Sequence, residues 1–115
     1  MTSSGNIYLL QYGSYISEDV MKENTKKLEN YLVYQDDDKY YVYLGAYINI
    51  ETANKMKKYF ENNNLYTYIK NDYLSDTDLI NDIKELDSKI INEKDYSEIN
   101  KLNNEILSLL KNIVS

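Results

Sequence analysis

The sequence predicts an α+β domain: a β-α-β-β-α-β frame whose four strands form one antiparallel sheet with two helices on one face, followed by an αα-hairpin. An internal repeat carries the first part of that expectation. The stretch Y-L-L-Q-Y-G-S-Y-I-S, beginning at Tyr8, is echoed by Y-V-Y-L-G-A-Y-I-N, beginning at Tyr41. Gly13 and Gly45, Tyr15 and Tyr47, Ile16 and Ile48, and Ser17 and Asn49 recur at one offset of about 32 residues. That spacing holds a strand, a turn, a helix and the start of the next strand, so each copy reads as one β-α-β half. A change of period carries the second part. Up to residue 70 the apolar residues come in short runs or alternate, whereas from Ser75 onward they recur every three or four positions.

Taken in order, residues 1–6 are small and polar and read as a linker. A first strand is expected over 7–12, a break at Gly13-Ser14, and a helix over 18–30 capped by Ser17, with Glu18 and Asp19 in its positive first turn. The apolar stripe of that helix is thin: Val20, Met21, Leu28 and Tyr31. A second strand over 32–35 leads through Asp36-Asp37-Asp38-Lys39 into a third over 40–47. The three aspartates lack the alternating ligands, the glycine and the distal glutamate of an EF-hand, so they read as a charged turn.

In the second half Asn49 caps a helix over 50–62 whose core positions are Ala53, Met56 and Phe60. Asn62-Asn63-Asn64 stop it, since Asn tolerates the left-handed conformation at a helix end. A fourth strand over 65–70 alternates Tyr66 and Tyr68 against Thr67 and Ile69. The domain proper is thus expected over 7–71.

The hairpin is expected over 72–115, with cap-like patterns at Ser75-x-x-Asp78 and Asp95-x-x-Glu98 and a turn near 92–94. Its stripes are Leu79, Ile80, Ile83, Leu86, Ile90 and Ile91, then Ile99, Leu102, Ile106, Leu109, Leu110 and Ile113. They must complete the core, cover part of the sheet, or dock a partner chain.

Composition narrows the function. The 115 residues carry no histidine and no cysteine, which removes the commonest general base, the commonest metal ligand and any thiolate site. No catalytic residue, metal ligand or cofactor is singled out, and the Asp and Glu residues fall in turns, caps and helix faces, where solvation explains them. The net charge is -6 and all 13 basic residues are lysine. A surface of that sign, without the bidentate fork of arginine, is poorly suited to nucleic acid, and the RNP-type signature of sheet-based RNA binders is missing. No apolar run reaches the 18 or more residues of a membrane span.

The segments Y-L-L-Q-Y-G-S-Y and Y-V-Y-L-G-A-Y on this frame resemble the SPOR domain, a bacterial cell-wall-binding module, over residues 7–70. The resemblance implies non-catalytic binding of peptidoglycan glycan strands that lack stem peptides. It implies a place outside the cytoplasmic membrane, in the cell envelope at division or sporulation septa, with an anchor beyond this chain. The family's strand-one glutamine falls on Gln11 and the serine of its G-S-aromatic turn on Ser14. An amide donates and accepts at once, and a hydroxyl rotates to suit, as sugar hydroxyls and N-acetyl groups require. The third-strand arginine of some members falls on Tyr41, the aromatic on Lys39, and a last-strand hydrophobic residue on Ile69. Tyr41 and Tyr43 share a strand face by parity, and their phenol rings suit stacking on pyranoses. The alternative is an interaction module of the same fold that lacks glycan binding and docks another septal or sporulation protein through its C-terminal helices.

Overall fold

The computed structural model describes residues 5–114. Eight elements follow in order: β1 (Asn6–Tyr15), α1 (Glu18–Asn24), β2 (Leu32–Asp36), β3 (Lys39–Tyr47), α2 (Ile50–Glu61), β4 (Tyr68–Tyr73), α3 (Thr77–Asn92) and α4 (Tyr96–Val114). The four strands form one antiparallel sheet in the order β2-β3-β1-β4, so the expected α+β architecture is what the chain adopts. Residues 1–4 of the expected linker and the side chain of Ile113 lie outside the described residues.

The repeated glycines have a steric reason. In each copy the tyrosine two residues on lies on the same side of the strand and folds its ring across the glycine, Tyr15 over Gly13 and Tyr47 over Gly45. A Cβ at either glycine would collide with that ring and its hydroxyl. The pairing of a bare backbone with a covering aromatic is therefore built twice.

Several boundaries differ from the sequence reading. β1 does not break at Gly13-Ser14 but runs on to Tyr15, absorbing the irregularity as register shifts at Leu10/Gln11 and Gln11/Gly13. α1 spans 7 residues rather than reaching Asn30. The Thr25 hydroxyl turns back on Met21 O at 2.9 Å and the Asn24 amide on Val20 O at 2.8 Å, two local bonds that compete with helix continuation. Of the thin stripe only Met21 is buried on that helix. β4 starts three residues later than expected, because 62–65 are spent on a Schellman cap. Asn64 takes φ 63, while Asn64 N–H donates to Glu61 O and Leu65 N–H to Phe60 O. The strand then extends to Tyr73 by pairing Asn71 with Tyr8 and Asn6 with Tyr73, so the expected limit at residue 71 falls inside it. Asp76, not Ser75, caps α3, accepting from Leu79 N–H at 3.0 Å.

Directly paired residues in an antiparallel ladder point to the same face. Tyr8, Tyr47 and Asn71 therefore share one face, and Leu9, Ala46 and Lys70 the other. The hairpin of α3 and α4 joins the Tyr47 side. The Tyr47 hydroxyl donates to Asn103 Oδ1 on α4 at 2.5 Å, and Asn103 Nδ2 donates to Leu44 O at 2.9 Å. Asp87 on α3, 2 % exposed, accepts from the backbone N–H groups of Ile48 and Asn49 at 2.7 and 2.8 Å and from the Thr52 hydroxyl. Its charge thus sits on the N-terminus of α2, where the helix dipole favours an anion. Lys55 of α2 reciprocates, donating to the carbonyls of Ile90, Ile91 and Glu93 at the end of α3. Around these bonds Leu10, Leu44, Met56, Ile83, Ile90, Ile99, Ile106 and Leu107 are fully buried in one cluster. The hairpin completes the core of the sheet domain rather than forming a second one.

Tyr47, 0 % exposed, is held neutral by this arrangement: burial first, then the nearby Asp87 carboxylate and Tyr59, push its pKa well above 10. The raised folded value fixes the sign of the pH dependence: stability from the neutral phenol is complete below about pH 10 and is lost as pH climbs towards the folded value. Denaturant unfolding across pH 8–11 is expected to show this alkaline loss. Tyr47→Phe is expected to unfold about 1–3 kcal/mol more easily at pH 8, with Asn103 left partly unsatisfied, and to show a shallower alkaline decline.

Candidate functional site: the sheet face opposite the hairpin

The face turned away from Tyr47 is organised in transverse rows. Across the middle of the sheet Leu32, Tyr43, Gln11 and Tyr68 stand side by side, one from each strand. Towards the β3 start the next row is Tyr34, Tyr41 and Ser14. Four strands at the usual spacing make such a row about 14 Å across. The contacts of Lys70 fix these rows to its face: its ammonium lies 3.4 Å from the Tyr43 hydroxyl and 4.8 Å from the centroid of the Tyr41 ring.

Gln11 occupies a special position in this layout. The β1·β3 register slips on both sides of it, between Leu10 and Gln11 and again between Gln11 and Gly13. Bulges of that kind re-aim a side chain and sharpen the local twist. Here the result is an amide at the centre of the row, between the phenols of Tyr43 and Tyr68. Gln11 and Tyr41 are half-buried and Ser14 is exposed, as are Tyr34 at 43 % and Tyr68 at 58 %.

Tyr43 is different. It is 3 % exposed, so its ring serves as a floor and not as a free stacking surface. Burial raises its pKa above 10, and the hydrogen bond and charge of Lys70 offset only part of that. Ile69 does not join the group: it pairs with Leu10, whose alternation with Leu9 puts it on the Tyr47 side, and it packs against the core. The geometry therefore brings Gln11, Ser14, Tyr41 and Tyr43 together and leaves Ile69 behind the sheet. Towards the other end the same face closes over with the buried Leu9 and Ala46.

Two members of the face are not among the residues read from the sequence. Tyr68 and Lys70 enter it because β4 is registered on Asn6–Gln11. The alternation of Tyr66 and Tyr68 against Thr67 and Ile69 held the signal, since continuing it one step puts Lys70 beside Tyr68. Chemically the patch offers the Gln11 amide, the Ser14 hydroxyl, a set of phenols and the Lys70 ammonium, with the exposed Lys39 one row beyond Tyr41.

No family model, curated protein or solved structure matches the chain.

The Lys70–Tyr43 contact has a spectroscopic consequence. Alkaline titration at the tyrosinate absorbance, with Tyr43→Phe subtracted, is expected to give a Tyr43 transition above pH 10. Lys70→Met is expected to move it higher still, because the ammonium is what favours the phenolate. A Tyr43 transition unchanged by Lys70→Met would show that the two side chains do not meet in solution.

Proposed function

We propose that this face binds peptidoglycan glycan strands lacking stem peptides, without catalysis, in the manner of the SPOR domains that residues 7–70 resemble. The observation that carries the reading is Gln11, set between two register slips at the centre of a phenol-lined row. An amide flanked by aromatics matches what a pyranose presents, hydroxyl and N-acetyl edges around an apolar ring face. Ser14 and Tyr41 extend that surface by one row, and Tyr34 and Tyr68 add exposed rings at its two sides. The net charge of -6 disfavours phosphate polymers as ligands.

In this reading the protein acts outside the cytoplasmic membrane, at division or sporulation septa. The rival reading, docking of a septal partner through the C-terminal helices, has less surface to work with. Ile83, Ile90, Ile99, Ile106 and Leu107 of the hairpin are spent inside the domain. Leu86, Ile91 and Leu109, partly buried themselves, are what the stripes leave over among the described residues.

Co-sedimentation with amidase-treated sacculi tests the proposal. The protein is expected to pellet with treated sacculi and not with untreated ones. Gln11→Ala/Tyr41→Ala, with an unchanged circular dichroism spectrum, is expected to bind about tenfold or more weakly, the loss of two contacts near 1 kcal/mol each. Equal pelleting of both proteins, or of neither, contradicts it.

A further inference from the structure

Two lysines stand on the glycan face: Lys39, exposed at the start of β3, and Lys70, which the face's own rings hold in place. Lys70 is half-buried, and among the described residues it forms no ion pair. It is nevertheless fixed in place: the Tyr43 hydroxyl lies 3.4 Å from Nζ, the Tyr41 ring centroid 4.8 Å away and the Tyr43 ring centroid 5.9 Å away. Two aromatic faces hold a cation there without neutralising it, because a ring quadrupole attracts charge and does not cancel it. The lysine keeps further N–H donors free, since an ammonium has three and Tyr43 engages one. The nearest acid acting on it is Asp72, two residues along the same strand and exposed. On a chain of net charge -6, an unpaired and positioned cation next to Gln11 is a recognition element for an anion.

The anion follows from the chemistry of the proposed ligand, and this step rests on the glycan reading above. A stem peptide is joined to its sugar through an amide of the lactyl side chain. Hydrolysis of that amide by water leaves a carboxylate on the sugar and an amine on the departing peptide. A stripped strand therefore differs from an intact one by a repeated negative charge as well as by lost bulk. We infer that Lys70 is the specificity-determining residue of the face, taking the lactyl carboxylate of the stripped strand, with Tyr41 and Tyr43 as the aromatic seat that positions its ammonium. The amide of an intact strand offers no such charge. Discrimination then comes from electrostatics at one point of the sheet in addition to any steric exclusion of the peptide.

The test uses the full chain and soluble fragments of amidase-released glycan. One set is left as carboxylates; the other is converted to methylamides, which remove the charge and add almost no bulk. The wild type is expected to bind the carboxylate form about 10- to 100-fold more tightly, the range of one charge-assisted hydrogen bond. Lys70→Met is expected to bind both forms equally and weakly, and Lys70→Arg to keep the preference. Equal binding of both forms by the wild type, with Gln11→Ala still weakening it, overturns the role of Lys70 while leaving the glycan face standing. No binding of either form overturns the glycan reading beneath it.

Discussion

The architecture depends on a small polar joint between the hairpin and the sheet domain. The Asp87 carboxylate closes the first turn of α2, Lys55 closes the last turn of α3, and Asn103 spans the Tyr47 hydroxyl and the Leu44 carbonyl. Each of these groups is costly to bury alone and is satisfied only when the hairpin lies against α2 on the Tyr47 side. Apolar stripes by themselves would pack on either face of a sheet, because burial has no direction. The joint supplies the direction. It commits Ile83, Ile90, Ile99 and Ile106 to the core around Leu10, Leu44 and Met56.

The strand-helix order was legible in the sequence because the repeat had a steric cause. Gly13 with Tyr15 and Gly45 with Tyr47 are the same bare-backbone-and-ring pairing, so their recurrence marked two equivalent strands. The helix caps at Ser17 and Asn49 and the stop at Asn64 were legible for the same reason, being local bonds of single residues. Boundaries set by competing side-chain bonds or by strand pairing were not. α1 ends at Asn24 because Thr25 and Asn24 bond back into its last turn, and β4 slides to Tyr73 because β1 offers partners as far as Asn6. Asp87 and Asn103 looked like ordinary polar residues of amphipathic helices, and only the packed helices give them partners 39 and 59 residues away.

The site shows the same division. Gln11, Ser14 and Tyr41 were assigned through the resemblance and Tyr43 through strand parity, and the four share a face. Ile69 does not, since its pairing with Leu10 turns it towards the core, and the neighbour that does reach the face is Lys70. A one-residue step along a strand changes the face, so a last-strand assignment made without its register is the one most exposed to error. The resulting patch is part floor and part platform: Tyr43 and Lys70 form a fixed, partly covered seat, while Tyr34, Ser14 and Tyr68 reach solvent around it.

The central claim, that the face opposite the hairpin is where the ligand lies, is tested most directly by mapping. Backbone amide shifts would be followed by NMR as soluble glycan fragments without stem peptides are added. The account predicts that the largest perturbations fall on Gln11, Ser14, Tyr41, Tyr68 and Lys70, with α3 and α4 unmoved. Perturbations centred on the outer surface of α3 and α4, or none at saturating fragment, would contradict it.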